Sequence, residues 1–417
     1  MLSFAEKTAM KRLYPLIGLM ALLAVGCERL DTPFGRSYGN GRTGRSSGLA
    51  QKDSTSTSET TVPDTVCRAA VVKVPDSYDW HKDSLAGHFS GELLFYCGSS
   101  PGLSIPLDGS LPVSPDPGTH HILAGHLYTE CCSGGALHIL RDGGPLLHLP
   151  VEGFLKGLLL SGDGGLWTLV CTPADGSLTL FRNGETVIRI THGSAVGGLG
   201  EGRPALYEDA GHICFTYTEE GNFFAVKDGG ISPVPLPEQG ATVEDFRWWG
   251  GETVTLYRKN GAHHIDFGGS SRMLIYGQRP ARLVEAGGRL YAFGMSDFGI
   301  RDVAFVAAAD GSGIKYFLGR EPWLHSSEGC LFTVQGSEPL RISGGSSVPT
   351  SISQYSDMEG MLVFTDECVA SIGSDAYLGA SVPGGRPLLI RGSQAVGEFP
   401  FDGYITAVDV ELTPPSL

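Results

Sequence analysis

The chain has 417 residues, 60 of them glycine, with 41% hydrophobic residues and a formal net charge of −15. Glycine without a Gly-X-Y period excludes collagen and indicates many tight turns. An acidic body repels phosphate backbones, so we expect no nucleic-acid partner and no broad adsorption to anionic lipid.

The first predicted element is a leader over residues 1–26. A basic start at Lys11-Arg12 is followed by an apolar run from Leu13 to Val25 and then by Gly26. A basic start, an apolar run of roughly 7–15 residues and a small residue at the end are typical of a secretory signal peptide. The run is shorter than the roughly 20 residues that cross a bilayer, so it is not expected to span one.

The end of this leader, Leu23-Ala24-Val25-Gly26-Cys27, resembles the lipobox of bacterial lipoproteins. In that family the cysteine thiol receives diacylglycerol and the leader is cut just before it. The resemblance implies that Cys27 is the lipidated first residue of the mature protein. Several acyl chains hold a protein firmly to a membrane, since each buried CH₂ contributes about 0.8 kcal/mol. An ordinary secretory signal with an incidental cysteine is the alternative.

Residues 27–66 are predicted to be a lipidated Cys followed by a disordered linker rich in Ser, Thr and Gly. The stretch from Ser54 to Thr61 is polar and small, and no apolar period of 2 or 3.6 occurs. Such a segment cannot bury enough surface to offset its chain entropy. The expected location is the cell envelope, on the outer membrane, with the periplasmic or surface face left open.

From about residue 85 onward one short unit recurs, and each copy contains an apolar strand. The strands start 31 to 47 residues apart, at Leu93, Leu127, Leu166, Ile213, Thr253, Leu290, Leu331 and Leu362. The mean spacing is close to the ~40–50 residues of a four-stranded propeller blade. Short strands at even spacing with Gly-rich turns indicate radial repetition.

The partner strands end in Asp142-Gly143, Asn183-Gly184 and Asp228-Gly229. These pairs predict hairpins, because a type I′ turn needs positive φ at both central residues. The β-branched and aromatic residues around them suit strands.

We therefore predict an all-β fold over 67–417, a β-propeller of about seven four-stranded blades, with six or eight left open. Closure is expected to bring Val71–Val74 and Tyr404–Val408 into one blade. The stretch Ala376–Val382 either begins another blade or finishes the previous one. A β-sandwich pair or an open β-solenoid is the alternative fold. The repeat lacks the endings of the WD class and the signatures of the kelch class.

Eight cysteines remain after Cys27, and export would permit disulfides. Four of them fall near the same place in successive apolar strands and are interpreted as core residues between blades: Cys97, Cys131, Cys171 and Cys214. A strained bridge between Cys131 and Cys132 is the alternative. No Cys-x-x-Cys pair supports a zinc ribbon or a thioredoxin-like site.

No metal site, cofactor or catalytic residue is predicted. The adjacent pairs His120-His121 and His263-His264 would point to opposite faces of a strand, so neither pair can easily chelate one ion. There is no Gly-x-Ser-x-Gly elbow and no phosphate loop.

The fragment from Ser161 to Trp167 reads Ser-Gly-Asp-Gly-Gly-Leu-Trp and resembles the Asp box of sialidase-type propellers. It is one residue short and lacks the Thr of that motif. In that family the box is a structural hairpin, so the resemblance implies a propeller turn. Catalysis there uses an arginine cluster, a Tyr nucleophile with its Glu and an acid Asp, which this sequence alone does not place on one face.

Trp248 and Trp249 precede Gly250-Gly251 and are the candidate ligand-binding residues. On a strand their rings point opposite ways, so one is expected in the core. The other is expected at the top or in the central channel, where an indole stacks on a sugar or a peptide side chain. Packing of both rings in the core is the competing interpretation.

The predicted function is non-catalytic binding of an envelope protein or glycan by a propeller anchored to the membrane through lipid on Cys27. The alternative is a glycan-processing hydrolase or lyase on the same scaffold, motivated by the imperfect Asp box. An Arg, Tyr and two carboxylates converging on the channel mouth would favour the enzyme.

Overall fold

The computed structural model describes fifteen segments of the chain between Thr65 and Leu412. These are residues 65–78, 90–98, 100–197, 205–277, 279–286, 289–298, 301–318, 324–327, 330–335, 338–343, 346–349, 366–372, 375–381, 385–391 and 394–412. The predicted leader, Cys27 and nearly all of the predicted linker lie outside the described residues. The described residues belong to one compact unit, Pro63–Leu417. Within them, no helix has the length and apolar character needed to cross a membrane.

The described strands form eight antiparallel sheets, seven with four strands and one with five. Blade 1 combines β1 (Thr65–Lys73), β2 (Glu92–Cys97) and β3 (Ser100–Pro106) with the last strand, β33 (Gly403–Leu412).

The other blades follow chain order. Blade 2 contains β4 (His120–Leu123), β5 (His126–Ser133), β6 (Ala136–Arg141) and β7 (Gly144–Leu149), and blade 3 contains β8 (Phe154–Leu160), β9 (Leu166–Thr172), β10 (Ser177–Arg182) and β11 (Glu185–Ile190). Blade 4 contains β12 (Ser194–Ala195), β13 (Leu206–Asp209), β14 (His212–Glu219), β15 (Asn222–Lys227) and β16 (Gly230–Pro233), and blade 5 contains β17 (Thr242–Trp249), β18 (Glu252–Lys259), β19 (Ala262–Phe267) and β20 (Ser270–Tyr276). Blade 6 contains β21 (Ala281–Ala286), β22 (Arg289–Phe298), β23 (Arg301–Ala308) and β24 (Lys315–Leu318), and blade 7 contains β25 (Leu324–Ser327), β26 (Cys330–Gln335), β27 (Glu338–Ser343) and β28 (Ser346–Pro349). Blade 8 contains β29 (Val369–Ile372), β30 (Asp375–Ala380), β31 (Leu388–Arg391) and β32 (Gln394–Glu398).

Contacts between the innermost strands of neighbouring blades show that the blades are arranged radially. Such contacts link β17 to β21, β21 to β25, β25 to β29, β29 to β33 and β33 to β4, and β8 contacts β13. The prediction of an all-β propeller is confirmed. The eight sheets lie within the predicted range, one above the favoured number. The ambiguous stretch from Ala376 supplies β30, the second strand of blade 8, whereas the predicted strand at Leu362 lies outside the described residues.

Both ends of the described chain close the ring in blade 1. Val71 pairs with Ile405 and Val72 with Tyr404, as predicted, and all four residues are fully buried. A bulge places Thr406 as an extra residue on β33. Burial of each such side chain contributes roughly 1.5–3 kcal/mol.

The core consists of clusters that lie between adjacent blades. Leu127 of blade 2 belongs to the same buried cluster as Phe95 of blade 1, and Tyr128, the next residue, belongs to the same cluster as Leu155 of blade 3. This alternation follows from the two-residue period of a strand, whose successive side chains enter opposite inter-blade layers.

The predicted hairpins have type I′ geometry. Asp142 and Gly143 have φ of 51° and 75°, and Asn183 and Gly184 have φ of 51° and 87°. The side chain of the first turn residue also accepts a hydrogen bond from a backbone N–H near the start of the second strand of the same blade. The Leu127 N–H at the start of β5 donates to Asp142 Oδ1 at 3.0 Å. Asp228 repeats this arrangement at 2.9 Å with Ile213.

The prediction that four cysteines share one position is wrong in part. Cys131 and Cys171 are both sixth in a second strand, but Cys214 is third in β14 and therefore near the other end of its blade. Cys97 lies on the third strand of blade 1 and is exposed. All seven cysteines whose side chains the structure describes are free thiols, so Cys131 and Cys132 are not bridged.

Candidate functional site

Each blade has two ends, and the candidate site lies at one of them. The turns between first and second strands and between third and fourth strands share one end, which we call face A. The opposite end, where the chain passes from blade to blade, is face B. Trp248 and Trp249 end β17, the innermost strand of blade 5, next to the Gly250-Gly251 turn, and therefore lie at face A near the ring centre.

The two indoles occupy opposite faces of the blade 5 sheet. Trp248 packs edge-on against Phe246, with ring centroids 5.0 Å apart, in the layer between blades 4 and 5. Trp249 packs against the layer between blades 5 and 6. Both rings are half-buried. Within the described part of the chain, the indole N–H of Trp248 has no hydrogen-bond acceptor, so it is available to a ligand.

Blade 4 fixes the backbone beneath these rings. The Trp248 N–H donates to the Tyr207 hydroxyl at 3.1 Å. The Gly250 and Gly251 N–H groups donate to the two carboxylate oxygens of Asp209, at 2.7 and 3.4 Å. Tyr207 and Asp209 are both buried. The turn after Trp249 is therefore held in place before any ligand binds.

A buried arginine connects this corner to blade 6. Arg247 is 1% exposed, and its guanidinium lies 4.0 Å from the centre of the Tyr207 ring. It donates to Glu285 Oε2 at 3.1 Å, while the Glu285 side chain remains 39% exposed. A buried guanidinium needs such a partner because an unpaired charge is costly inside a protein. We call the set of Tyr207, Asp209, Lys227, Arg247, Trp248 and Glu285 the Trp248 corner.

Lys227 adds a positive charge to the corner. Its Nζ lies 5.7 Å from the centre of the Trp248 ring, within the range of a cation–π interaction. The corner therefore has an ammonium group beside the indole on the blade 4 side, and Arg247 links it to the carboxylate of Glu285 on blade 6. Sequence reasoning named the two tryptophans but not the buried residues that hold them.

The Asp-box-like fragment is a turn at face A of blade 3, between β8 and β9. The Ser161 hydroxyl lies within hydrogen-bonding distance of Asp163 Oδ1 and of the Gly165 carbonyl, and it accepts from Trp167 Nε1 at 3.2 Å. Arg182 donates to Asp163 Oδ2 at 2.5 Å. The bonds from Ser161 and from the Gly165 N–H lower the pKa of Asp163. This geometry agrees with the structural turn that the resemblance implied.

A groove of about 490 Å³ adjoins that turn, between blades 3 and 4. Its lining includes the carboxylates Asp163, Glu208 and Asp228, together with Arg182 and Trp167. The carboxylates are engaged, because Glu208 accepts from the Gly162 N–H at 3.0 Å and Asp228 contacts His212 at 2.5 Å. The carboxylates Glu208 and Asp228 therefore already have partners within the protein.

An Arg, a Tyr and two carboxylates do lie together at face A, namely Arg247, Tyr207, Asp209 and Glu285, but Arg247, Tyr207 and Asp209 are buried. The Tyr257 hydroxyl donates to Glu238 at 2.9 Å, beside Lys259, but this pair lies toward face B of blade 5. Arg247 and Tyr207 lie at face A and serve the Trp248 turn.

The adjacent histidine pairs have separate partners. His120 donates to the Ser114 carbonyl at 2.8 Å, and its burial lowers its pKa to about 3. His121 lies 3.4 Å from Glu367. His263 binds Glu244 at 2.6 Å, whereas His264 stacks on Tyr257. Among the described residues, no three or more His, Cys, Asp or Glu side chains are grouped to hold a metal ion.

The chain matches no protein-family model, and no curated protein matches it. A catalytically inactive variant of virginiamycin B lyase from Staphylococcus aureus, solved with quinupristin, aligns with a TM-score of 0.38 and 15% identity over 63% of this chain and 91% of that chain. Hsv2 from Kluyveromyces lactis aligns with a TM-score of 0.37 and 9% identity over 63% and 89%. TolB from Acinetobacter baumannii aligns with a TM-score of 0.31 and 14% identity over 59% and 61%. The strand order itself defines the protein as a β-propeller.

Proposed function

We propose that this chain is a cell-envelope lipoprotein, anchored by lipid on Cys27, whose propeller binds a protein or glycan partner at the Trp248 corner without catalysis. The observation that carries the binding proposal is the half-buried Trp248 indole, which packs against Phe246 and whose backbone is held by Tyr207 and Asp209 of blade 4. A ring fixed in advance loses little conformational entropy when a ligand stacks on it. The proposed location is the outer membrane.

The chemistry of the corner suits a glycan or a polar peptide segment. The Trp248 ring supplies an apolar face, and Glu285, 39% exposed, supplies hydrogen-bond acceptors. Lys227 supplies donors beside the ring. Aromatic platforms with polar groups at their rim are typical of sites where one side of the ligand is apolar and the other is hydrated.

The test is binding of the purified full chain to an array of bacterial envelope oligosaccharides, including peptidoglycan fragments. Trp248→Ala should weaken binding of any captured glycan at least tenfold. Tyr276→Ala is the matched control, because it removes an aromatic ring that is 55% exposed on the outermost strand of blade 5. Equal binding by both variants would remove the Trp248 corner from the proposal.

A glycan-processing enzyme remains the second candidate function, supported by the groove beside the Asp-box-like turn and its three carboxylates. Incubation of the same oligosaccharides with the protein separates the two. Turnover that a single substitution at Asp163 or Glu208 abolishes would favour the enzyme over the binding protein.

A further inference from the structure

Two histidines face each other across the outer strands of blade 2. His138 on β6 pairs in register with His148 on β7. Residues directly opposite on antiparallel strands present their side chains to the same face of the sheet. The ring centroids are 4.9 Å apart, and the ring planes are tilted by 50°. The two imidazoles are ten residues apart in sequence, so neither adjacent-pair nor short-motif reasoning detects them.

Both rings are available for a ligand. β7 is the outermost strand of its blade, His148 is exposed, and His138 is half-buried. Within the described part of the chain, neither ring donates or accepts a hydrogen bond to another residue. His126 and His212, which begin the second strands of blades 2 and 4, differ in this respect, since each binds a carboxylate through Nδ1.

The separation of the rings fits a shared metal ion. A metal–nitrogen distance of about 2.0–2.1 Å places the ion roughly 3.2 Å from each ring centroid. Two centroids 4.9 Å apart then correspond to an angle at the metal of about 100°, between square-planar and tetrahedral values. Imidazole suits zinc, copper and nickel, and the net charge of −15 favours cations in general.

A buried thiol continues the same row of the sheet. Cys131 on β5 pairs with His138, so its side chain lies on the same face, and it is 2% exposed. Burial raises the pKa of Cys131, which keeps it a neutral thiol. The thiol therefore lies behind the two imidazoles and is not required as a ligand.

We propose that His138 and His148 form a site for one divalent transition-metal ion, with water in the remaining positions. Such a site is open, unlike a closed structural site with four protein ligands. This agrees with the finding that the described residues contain no group of three or more metal-binding side chains. The proposal is independent of glycan or protein binding at the Trp248 corner, which lies in another blade.

The test is calorimetric titration of the full chain with zinc chloride, followed by nickel chloride. Four proteins are compared: the wild type, His138→Gln, His148→Gln and the matched control His126→Gln, which changes another exposed histidine of blade 2. The wild type and the control should bind one equivalent, while each of the other two variants should bind at least tenfold more weakly. All thiols are unchanged, so the difference isolates the histidine pair.

Protonation provides a second measurement. Acidification should weaken binding by the wild type, because an imidazolium cannot ligate a metal. Circular dichroism checks that the variants are folded. Absence of binding in the wild type, or equal affinity in all four proteins, would overturn the proposal.

Discussion

Buried polar side chains join neighbouring blades at backbone groups that the sheets leave free. Glu130 of blade 2 accepts from the Leu155 N–H at 2.9 Å, and Ser381 accepts from the Ile405 N–H at 3.0 Å. In both cases the N–H belongs to the residue before the extra residue of a bulge, where the ladder is interrupted. An unpaired buried N–H would cost about 1–3 kcal/mol, so these side chains replace ladder hydrogen bonds.

The Glu130 carboxyl predicts a specific pH dependence. It is 8% exposed, and burial raises its pKa from 4.5 to about 7. Between these pH values the folded state holds a proton that the unfolded state has lost, so stability falls as the pH rises from 4.5 to 7. Glu130→Gln keeps an acceptor for Leu155 but cannot titrate. The free energy of unfolding of the wild type minus that of the variant should fall by about 3 kcal/mol over this range.

Urea unfolding of both proteins at several pH values measures this difference. Taking the difference cancels opposing groups such as His120, whose lowered pKa makes stability fall as the pH drops. A difference that stays constant from pH 4.5 to 7 would show that Glu130 titrates normally.

The sequence predicted which residues of the candidate site are unusual but not what they contact. Trp248 stands out as one of two adjacent tryptophans, yet its partner Tyr207 is 41 residues away and Glu285 is 38 residues from Arg247. These separations are close to one blade repeat, because each contact joins equivalent strands of adjacent blades. The repeat period therefore predicts roughly how far away in sequence each partner lies, but it does not predict which residue the partner is.

At the scale of strands and turns, local chemistry predicts well and insertions do not. The Asn-Gly and Asp-Gly hairpins follow from residues that tolerate positive φ, as at Asn183 and Gly184. The five strands of blade 4 could not be predicted, because its first position is shared by two short strands, β12 and β13, which both pair with β14. The apolar pattern of β12 or of β13 alone does not indicate that the two strands share one position in the sheet.

The closing strand β33 gives a prediction at this scale. Ile405 is fully buried between blades 8 and 1, and Gly379 approaches it so closely that an added Cβ would lie 2.5 Å from its Cγ2. Ile405→Ala should lower the free energy of unfolding by about 2–5 kcal/mol, because it leaves a cavity that the close-packed layer cannot fill. Val396→Ala, at a 48% exposed position on the outer strand β32, should change it by less than about 0.5 kcal/mol.

Thermal and urea unfolding of both variants test the role of β33. A small effect of Ile405→Ala, equal to that of the control, would mean that closure of the ring by the last strand contributes little to stability.

At the scale of the whole molecule, the point where the chain enters the propeller relates the proposed anchor to the proposed site. β1 begins at Thr65, which pairs with Leu412 at the end of β33. This is the face A end of blade 1, the same face that carries the Trp248 corner. The proposed anchor therefore joins the propeller at the face that carries the proposed site.

The proposed lipid anchor predicts how the protein fractionates. In the bacterial cell the wild type should remain with the membranes after a high-salt wash, because lipid and not charge would hold it, and an acidic body has no attraction to anionic lipid. Cys27→Ser should move the protein to the soluble fraction. Cys67→Ser is the matched control, since it removes a thiol inside β1 and should leave the protein with the membranes. Retention of Cys27→Ser on the membrane, or release of the wild type by salt, would exclude lipid on Cys27 as the attachment. Neither result would bear on ligand binding at the Trp248 corner, which is tested separately.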